Sequence, residues 1–500
     1  MRLTESVFET SRPSDLAQKA VRGGAVTFVV QGGKFVLQTG TTIVLARIIS
    51  PSDFGLIGMV AVVVGFAQTF KDAGLSNATI QRAVVSRDQV DTLFWFNVLF
   101  SMALAVAVML SAPLVADFYG RPELTGITVA LSLSILASGI SVQHDALLRR
   151  YMQFTSIGIT QILSQTAYLA VAVCMALLGY GYWAIVGGTL AAAVAGSALT
   201  FYYCPIPPRR PRRVSGVVEM LKFGGQLSSF EFVNYFTRNM DNVLVGRFLG
   251  ADALGLYSRA YQLFLLPITQ IRTPILQVAM PLLSSMADQR ERLRRNYIDV
   301  VSLTALLTVP IALYCFVEAD FLVRVLLGPT WLGSVATFRI LSLVGLIQPS
   351  ASTVGIVMQV CGRADRQFKF GLVTAVFVVA AFSVGLRFGI EGVATGYVIA
   401  SYVLTIPMLE YGFRDTAIRV RDYFTAVLPS LGFGVLSGLG LFTALHVLAS
   451  QALWLHASAG LGFFALYGFL ALQVSSIRAL AARMLRSWRT DPEPQSNVAD

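Results

Sequence analysis

The chain has 500 residues, of which 55% are hydrophobic and only 13% charged, and its mean hydropathy is +0.67. Soluble domains carry about a quarter charged residues, so the composition excludes a soluble globular protein and implies a polytopic membrane protein. The net charge of +11 is read as membrane topology and contact with anionic lipid headgroups, not as nucleic-acid binding.

Residues 1–20 mix both charges and contain no apolar core, which predicts a cytoplasmic N-terminal segment without a cleaved signal peptide. A hydrocarbon core of roughly 30 Å is crossed by about 20 apolar helical residues, and about fourteen runs of that kind follow. The expected fold is therefore all-α. It has an N-lobe of six transmembrane helices over residues 21–204, a cytoplasmic linker over 205–215 and a C-lobe of six helices over 216–412. Two additional helices over 413–476 and a basic cytoplasmic tail over 477–500 complete it.

The first helix carries Gln31, Lys34, Gln38 and Thr41 at spacings of three and four, which places them on one helical face. It ends in a hairpin, "ARIISPSDFGLIG". Lys71 and Asp72 close the second helix near the cytoplasm, where a structural role is expected. Asn77 heads an "NAT" glycosylation pattern in a predicted cytoplasmic loop, a chance match. The fifth helix offers Gln161 and Gln165, and the sixth a stripe of Gly188, Ala192 and Gly196 that permits close helix contact. "CPIPPRRPRRVS" at 204–215 reads as the connector between the lobes.

The seventh helix contains "EFVNYFTRNMDNVLVGRF", with Glu231, Asn234, Arg238 and Asp241 again on one face. In the eighth, Pro267, Pro274 and Pro281 recur every seven residues and predict a curved helix. Gly434 and Gly438 form a second small-residue pair. The four cysteines and three histidines are scattered without metal-ligand spacing, so neither a metal nor a cofactor is expected.

Lys and Arg concentrate in alternate connections: Arg82 and Arg87, Arg149 and Arg150, "PPRRPRR", "RERLRR", then Arg363, Arg366 and Lys369, then Arg414, Arg419 and Arg421. The positive-inside rule puts these loops and both termini in the cytoplasm.

The chain also repeats itself. Shifted by 200 residues, "ARIISPSDFGLIG" from Ala46 falls on "GRFLGADALGLYS" from Gly246, matching Arg47 to Arg247 and Gly55 to Gly255. The same shift superimposes the stripe at Gln31, Lys34, Gln38 and Thr41 on that at Glu231, Asn234, Arg238 and Asp241. An even number of helices between the copies gives them one membrane orientation. Each charge at a helix centre costs about 2.5 to 3.5 kcal/mol in lipid, so these faces line a wet cavity or a network between helices. Lys34 and Arg238 favour the cavity; Arg47 and Arg247, nearer the helix ends, favour packing or snorkelling. For Glu231 and Asp241 pairing with Arg238 stays open.

The stretches "LARIISPSDFGLIGM", "FKDAGLSNATIQR", "LLRRYMQF" and "GYGYWAIVGG" resemble the polysaccharide transport family of flippases, the Wzx type within the multidrug/oligosaccharidyl-lipid/polysaccharide superfamily. The hairpin pattern is carried here by Arg47, Pro51, Phe54 and Gly55. The resemblance implies translocation of undecaprenyl-pyrophosphate-linked oligosaccharide units across the bacterial inner membrane for exopolysaccharide or lipopolysaccharide biosynthesis. It also implies alternating access, no enzymatic activity, and as partners the lipid-linked oligosaccharide, membrane lipids and a polysaccharide polymerase and export machinery. Because the family shares no universal motif for a site, the candidates rest on the polar stripes. Lys34 and Arg238 suit pyrophosphate; Gln31, Gln38, Gln161, Gln165 and Asn234 suit sugars; Glu231 or Asp241 suits a coupling ion. A drug/cation antiporter of the same superfamily and a membrane glycosyltransferase or polymerase are the alternatives.

Overall fold

A computed structural model describes residues 16–72, 74–81, 85–211, 217–448 and 453–473. Every regular element among them is a helix. The first run is α1 (Leu16–Ile48), α2 (Pro51–Phe70), α3 (Leu75–Gln81), α4 (Arg87–Leu110), α5 (Ala112–Tyr119), α6 (Glu123–Gly139), α7 (Val142–Arg150), α8 (Phe154–Leu177) and α9 (Tyr182–Tyr203). The second is α10 (Val217–Ser284), α11 (Arg290–Val317), α12 (Ala319–Leu326), α13 (Val335–Val344), α14 (Gln348–Ala351), α15 (Val354–Val360), α16 (Ala364–Gly385) and α17 (Gly389–Phe413). Then come α18 (Val420–Leu448) and α19 (Leu453–Gln473).

The order of these helices makes the sequence repeat visible. In each run a long helix (α4, α11) is followed by an eight-residue helix (α5, α12). A bent span comes next: α6 with α7 at 41°, and the stretch Pro329–Val344 with Gln348–Val360 at 40°. Two more long helices close each run. Sequence reading counts each bent span as one helix.

Nine helices among the described residues are long and apolar enough to cross a membrane, or eleven with each bent pair taken as one span. The fourteen of the sequence reading divides the chain more finely. Two of the nine stretches, Arg238–Ser284 and Ala364–Phe413, run to 47 and 50 residues. Gly250, at φ 89°, interrupts the first, and a 3-10 turn at Leu386–Phe388 the second. The local chemistry explains the other boundaries. Ser50 accepts from the Asp53 amide to cap α2, and Pro51 occupies its first turn. Ser86 and Gln89 form a reciprocal capping box on α4. Asn77, expected in a loop, lies in the short helix α3.

Apolar side chains such as Leu110, Leu177, Val376 and Leu461 lie outward, while Asn97, Ser101, Thr128, Gln143 and Thr304 are buried. With lipid as the solvent that arrangement costs nothing on the outside and lets helices bond to each other within.

Two compact units emerge. The first holds the described residues to Arg259, with Arg324–Gly333 and Leu386–Val393. Its α8 and α9 pack closely because Gly188 lies where a Cβ would come within 2.9 Å of Ala172 Cβ, and at Gly196 it would come within 3.1 Å of Ser164. The connector is strapped to α4 and α7: Arg209 N donates to Asp91 (3.2 Å), Trp95 Nε1 donates to the Arg209 carbonyl (2.8 Å), and His144 bonds the Ile206 carbonyl (2.9 Å).

The second unit holds Ala260–Val323, Ser334–Gly385 and the described residues from Ala394 onward. Its spine is α11. Arg294 makes two parallel bonds to Asp422 at the start of α18 (2.8 and 2.7 Å), Gly434 of α18 seats against Leu313 and Val309, and Tyr467 of α19 donates to the Leu306 carbonyl (3.0 Å). At Gly438 a Cβ would meet nothing within 4 Å, so only Gly434 of that pair serves close packing.

Candidate functional site

Two helices of the first unit carry the candidates of the first half. A Cβ at Gly158 of α8 would meet Val30 of α1 at 2.4 Å, and one at Gly33 would meet Ile162 at 3.7 Å. The paired numbers rise together, so α1 and α8 run parallel, and Lys34 and Gln38 lie at the depth of Gln161 and Gln165. Gln31 is exposed, whereas Lys34, Gln38, Gln161 and Gln165 are half-buried. Thr41 is buried, and its hydroxyl turns back to the Leu37 carbonyl (2.6 Å), so it is satisfied within its own helix. Among the described residues Lys34 has no ion-pair partner.

The equivalent stripe lies on α10, where the side chains of Glu231 and Asn234 fall outside the described residues. One turn on, Tyr235 donates to the Val62 carbonyl of α2 (2.9 Å), and its ring meets Phe66 with centroids 5.8 Å apart. That hydroxyl sits over Gly65, where a Cβ would be 2.5 Å away. Arg238 is exposed and has no ion-pair partner among the described residues. Asp241 is buried and accepts from the Tyr257 hydroxyl (3.0 Å) and from the Asn242 amide (2.8 Å). Of the pairings left open by the sequence, Asp241 therefore takes Tyr257, across the Gly250 break, in place of Arg238.

The hairpin motif forms a second, separate constellation in the same unit. A Cβ on Gly55 would lie 1.8 Å from the Ala251 carbonyl oxygen, and one on Gly255 would lie 1.9 Å from the Pro51 carbonyl oxygen. Residues 51 and 251, like 55 and 255, are repeat equivalents, so the contact is reciprocal and only glycine fits either position. Arg47 donates to the Val325 carbonyl (2.6 Å), and Arg247 lies 5.7 Å from the Phe118 ring centroid. Arg259 sits 3.9 Å over the Phe54 ring, which meets Trp331 edge-on at 5.4 Å. Trp331 is fully buried and donates to the Ala46 carbonyl (2.7 Å). These arginines hold the hairpins by hydrogen bonding and by cation–π attraction. Sequence reading did not single out Trp331, which no periodicity links to Phe54.

Elsewhere, Lys71 donates to Gln68 (2.9 Å), and Gln68 bonds Ser134 and Ser138 of α6 (3.2 and 3.1 Å). Burial pushes the Lys71 ammonium below its ordinary range, against the opposing pull of Asp72 and Asp145. It ties the end of α2 to α6, the structural role expected for it.

The model of a family described as polysaccharide biosynthesis protein matches residues 44–336. The chain is 27% identical over 435 residues to the lipopolysaccharide biosynthesis protein WzxC of Escherichia coli (strain K12), covering 83% of this chain and 87% of that one. It is 25% identical over 375 residues to the succinoglycan biosynthesis transport protein ExoT of Rhizobium meliloti (strain 1021), covering 75% and 76%. Its fold is similar to that of the lipid II flippase MurJ in an inward closed conformation, with a TM-score of 0.71 and 13% identity over 94% of this chain and 100% of that one.

Proposed function

Because the chain belongs to the polysaccharide biosynthesis protein family, matched over residues 44–336, we propose that it is a flippase. It carries undecaprenyl-pyrophosphate-linked oligosaccharide units from the cytoplasmic to the periplasmic leaflet of a bacterial inner membrane, by alternating access, for exopolysaccharide or lipopolysaccharide biosynthesis. A pyrophosphate and sugars do not cross hydrocarbon unaided, so the carrier must offer cations and amides inside while the lipid tail stays in the membrane.

One observation supports this most: Lys34 on α1 and Arg238 on α10, members of the two repeat-related stripes and four residues apart in the repeat register, have no ion-pair partner among the described residues. A membrane charge is normally neutralised by a partner; a cation kept without one is suited to an anionic cargo. In this reading Lys34 and Arg238 attract the pyrophosphate. Gln31, Gln38, Gln161, Gln165 and Asn234 bond sugar hydroxyls, and Glu231 or Asp241 binds a coupling ion. A polymerase and export machinery act on the product outside.

The positive-inside pattern supports cytoplasmic termini and a cytoplasmic 205–215 linker. A reporter fused after Arg213 is expected to be cytoplasmic, and a periplasmic signal there overturns that topology. For function, deleting the gene and following the lipid-linked oligosaccharide separates a flippase from an enzyme. The expected result is complete repeat units stranded on the cytoplasmic leaflet with no polymer outside. Failure to assemble the units at all contradicts the proposal.

A further inference from the structure

A buried acid–base pair stands apart from the stripes, in the second unit. Glu318, in the turn between α11 and α12, is 2% exposed. Both of its carboxylate oxygens lie within hydrogen-bond distance of His456 Nδ1 on α19, at 2.8 and 3.1 Å. The imidazole stacks flat on Phe321 of α12, with centroids 4.1 Å apart and planes at 8°. It therefore points one nitrogen at the acid, and its Nε2 has no hydrogen-bond partner among the described residues. The His456 side chain is 16% exposed, near the first turn of α19.

We propose that Glu318 and His456 form a proton-binding site that fastens α19 to the α11–α12 turn. With the proton bound, the pair is an imidazolium–carboxylate ion pair; without it, a neutral imidazole donates to a buried carboxylate. The proton enters from water and returns there, and no other bond changes.

The surroundings select this pair. From α11, Tyr314 faces Glu318 electrostatically, and a phenol ordinarily titrates at about 10, above neutrality. Asp320 and Arg324 on α12 are exposed, as is His446 near the end of α18, stacked on Phe442. Tyr467 of α19 is spent on the Leu306 carbonyl. Burial, partly opposed by His456, pushes the Glu318 carboxyl above its ordinary range. The pair shares one proton, whose binding compensates the charge of the buried carboxylate, so the site stabilises the protein as pH falls and loses that contribution as pH rises. The chain has three histidines, and few other side chains titrate between about pH 5 and 8.

The test uses the full-length protein purified in detergent. The thermal midpoint of the wild type is expected to rise as pH is lowered from about 8 to about 5, while the near-isosteric Glu318→Gln variant is flat over that window. His456→Leu, which leaves the buried carboxylate without that donor, is expected to lower the midpoint most at the alkaline end. Histidine-selective nitrogen-15 NMR gives a second readout that does not need the histidine variant to fold. The ring signals that titrate in the wild type should change their midpoint in Glu318→Gln. Superimposable midpoint profiles for wild type and Glu318→Gln, or three histidine titrations unmoved by that substitution, overturn the proposal.

Discussion

The hairpins around Gly55 and Gly255 and the polar stripes on α1 and α10 place cations on the same two helices but in different surroundings. At the hairpins each arginine is engaged: Arg47 by the Val325 carbonyl, Arg247 by Phe118, Arg259 by Phe54. Thirteen residues before Arg47 and nine before Arg247, Lys34 and Arg238 have no ion-pair partner among the described residues. The lesson is that depth and spacing alone do not tell a structural arginine from a working one. What the head group touches does: a charge held by a partner serves the fold, and in the proposed reading one without an ion-pair partner serves the cargo.

The comparison breaks first at the glycines. Gly55→Ala puts a methyl group 1.8 Å from a backbone oxygen, an overlap that no rotamer change relieves. A destabilisation of about 3 kcal/mol or more is expected. Folded protein recovered from membranes on size-exclusion chromatography should drop sharply. Gly255→Ala should match it, whereas Gly40→Ala, with nothing within 4 Å, should leave recovery unchanged. Unequal losses at 55 and 255 would contradict the reciprocal contact.

Next in size is Tyr257→Phe, which removes the hydroxyl from the buried Asp241 carboxylate. The expected cost is about 2 kcal/mol, read as a lower thermal midpoint in detergent, and Asp241→Asn in the same background should recover part of it. Arg47→Ala loses one charge-assisted bond to a carbonyl at an exposed site, so about 1 kcal/mol is expected, with reduced abundance and export falling only in proportion. A loss of export well beyond the loss of protein would move Arg47 into the working class.

The smallest effect is expected at Asp415, between α17 and α18. Hydrogen bonds from Arg366 and Arg363 (2.8 and 2.6 Å) hold its carboxyl below the ordinary value of 3.8. A carboxyl depressed by folding contributes stability above its unfolded value and loses it as pH falls through the folded one. The midpoint difference between wild type and Asp415→Asn should therefore be small near neutrality and vanish in acid. Asn suits the test because Asp415 has φ 67°, a conformation that Asn tolerates. A difference that grows on acidification would be inconsistent with this pairing.

How much of this was readable beforehand follows from what each signal depends on. The hairpin repeat was legible because Pro51, Gly55 and Gly255 are set by backbone geometry, which constrains residue type at fixed offsets. The stripes were legible because polar residues on an apolar background show their period. The bent spans were not, since the residues at the two breaks, 140–141 and 345–347, include neither proline nor charge. Trp331 and the Glu318–His456 pair were not either: their partners are 285 and 138 residues away, and single residues carry no period. Asp241 with Tyr257 lay between, since a break at Gly250 folds residues 16 apart onto each other.

The central claim is that Lys34 and Arg238 serve the cargo and not the fold, and one paired measurement tests it most directly. Membrane abundance and polymer export are quantified in the same cells carrying Lys34→Ala, Arg238→Ala, Lys34→Glu or Arg238→Glu in place of the wild type. The account predicts wild-type abundance for all four, export reduced in the alanine variants and reduced further in the glutamate variants, because an acid there repels the pyrophosphate. Wild-type export at wild-type abundance in both alanine variants would contradict it. A fall in abundance that accounts for the whole loss of export would return both cations to the structural class occupied by Arg47.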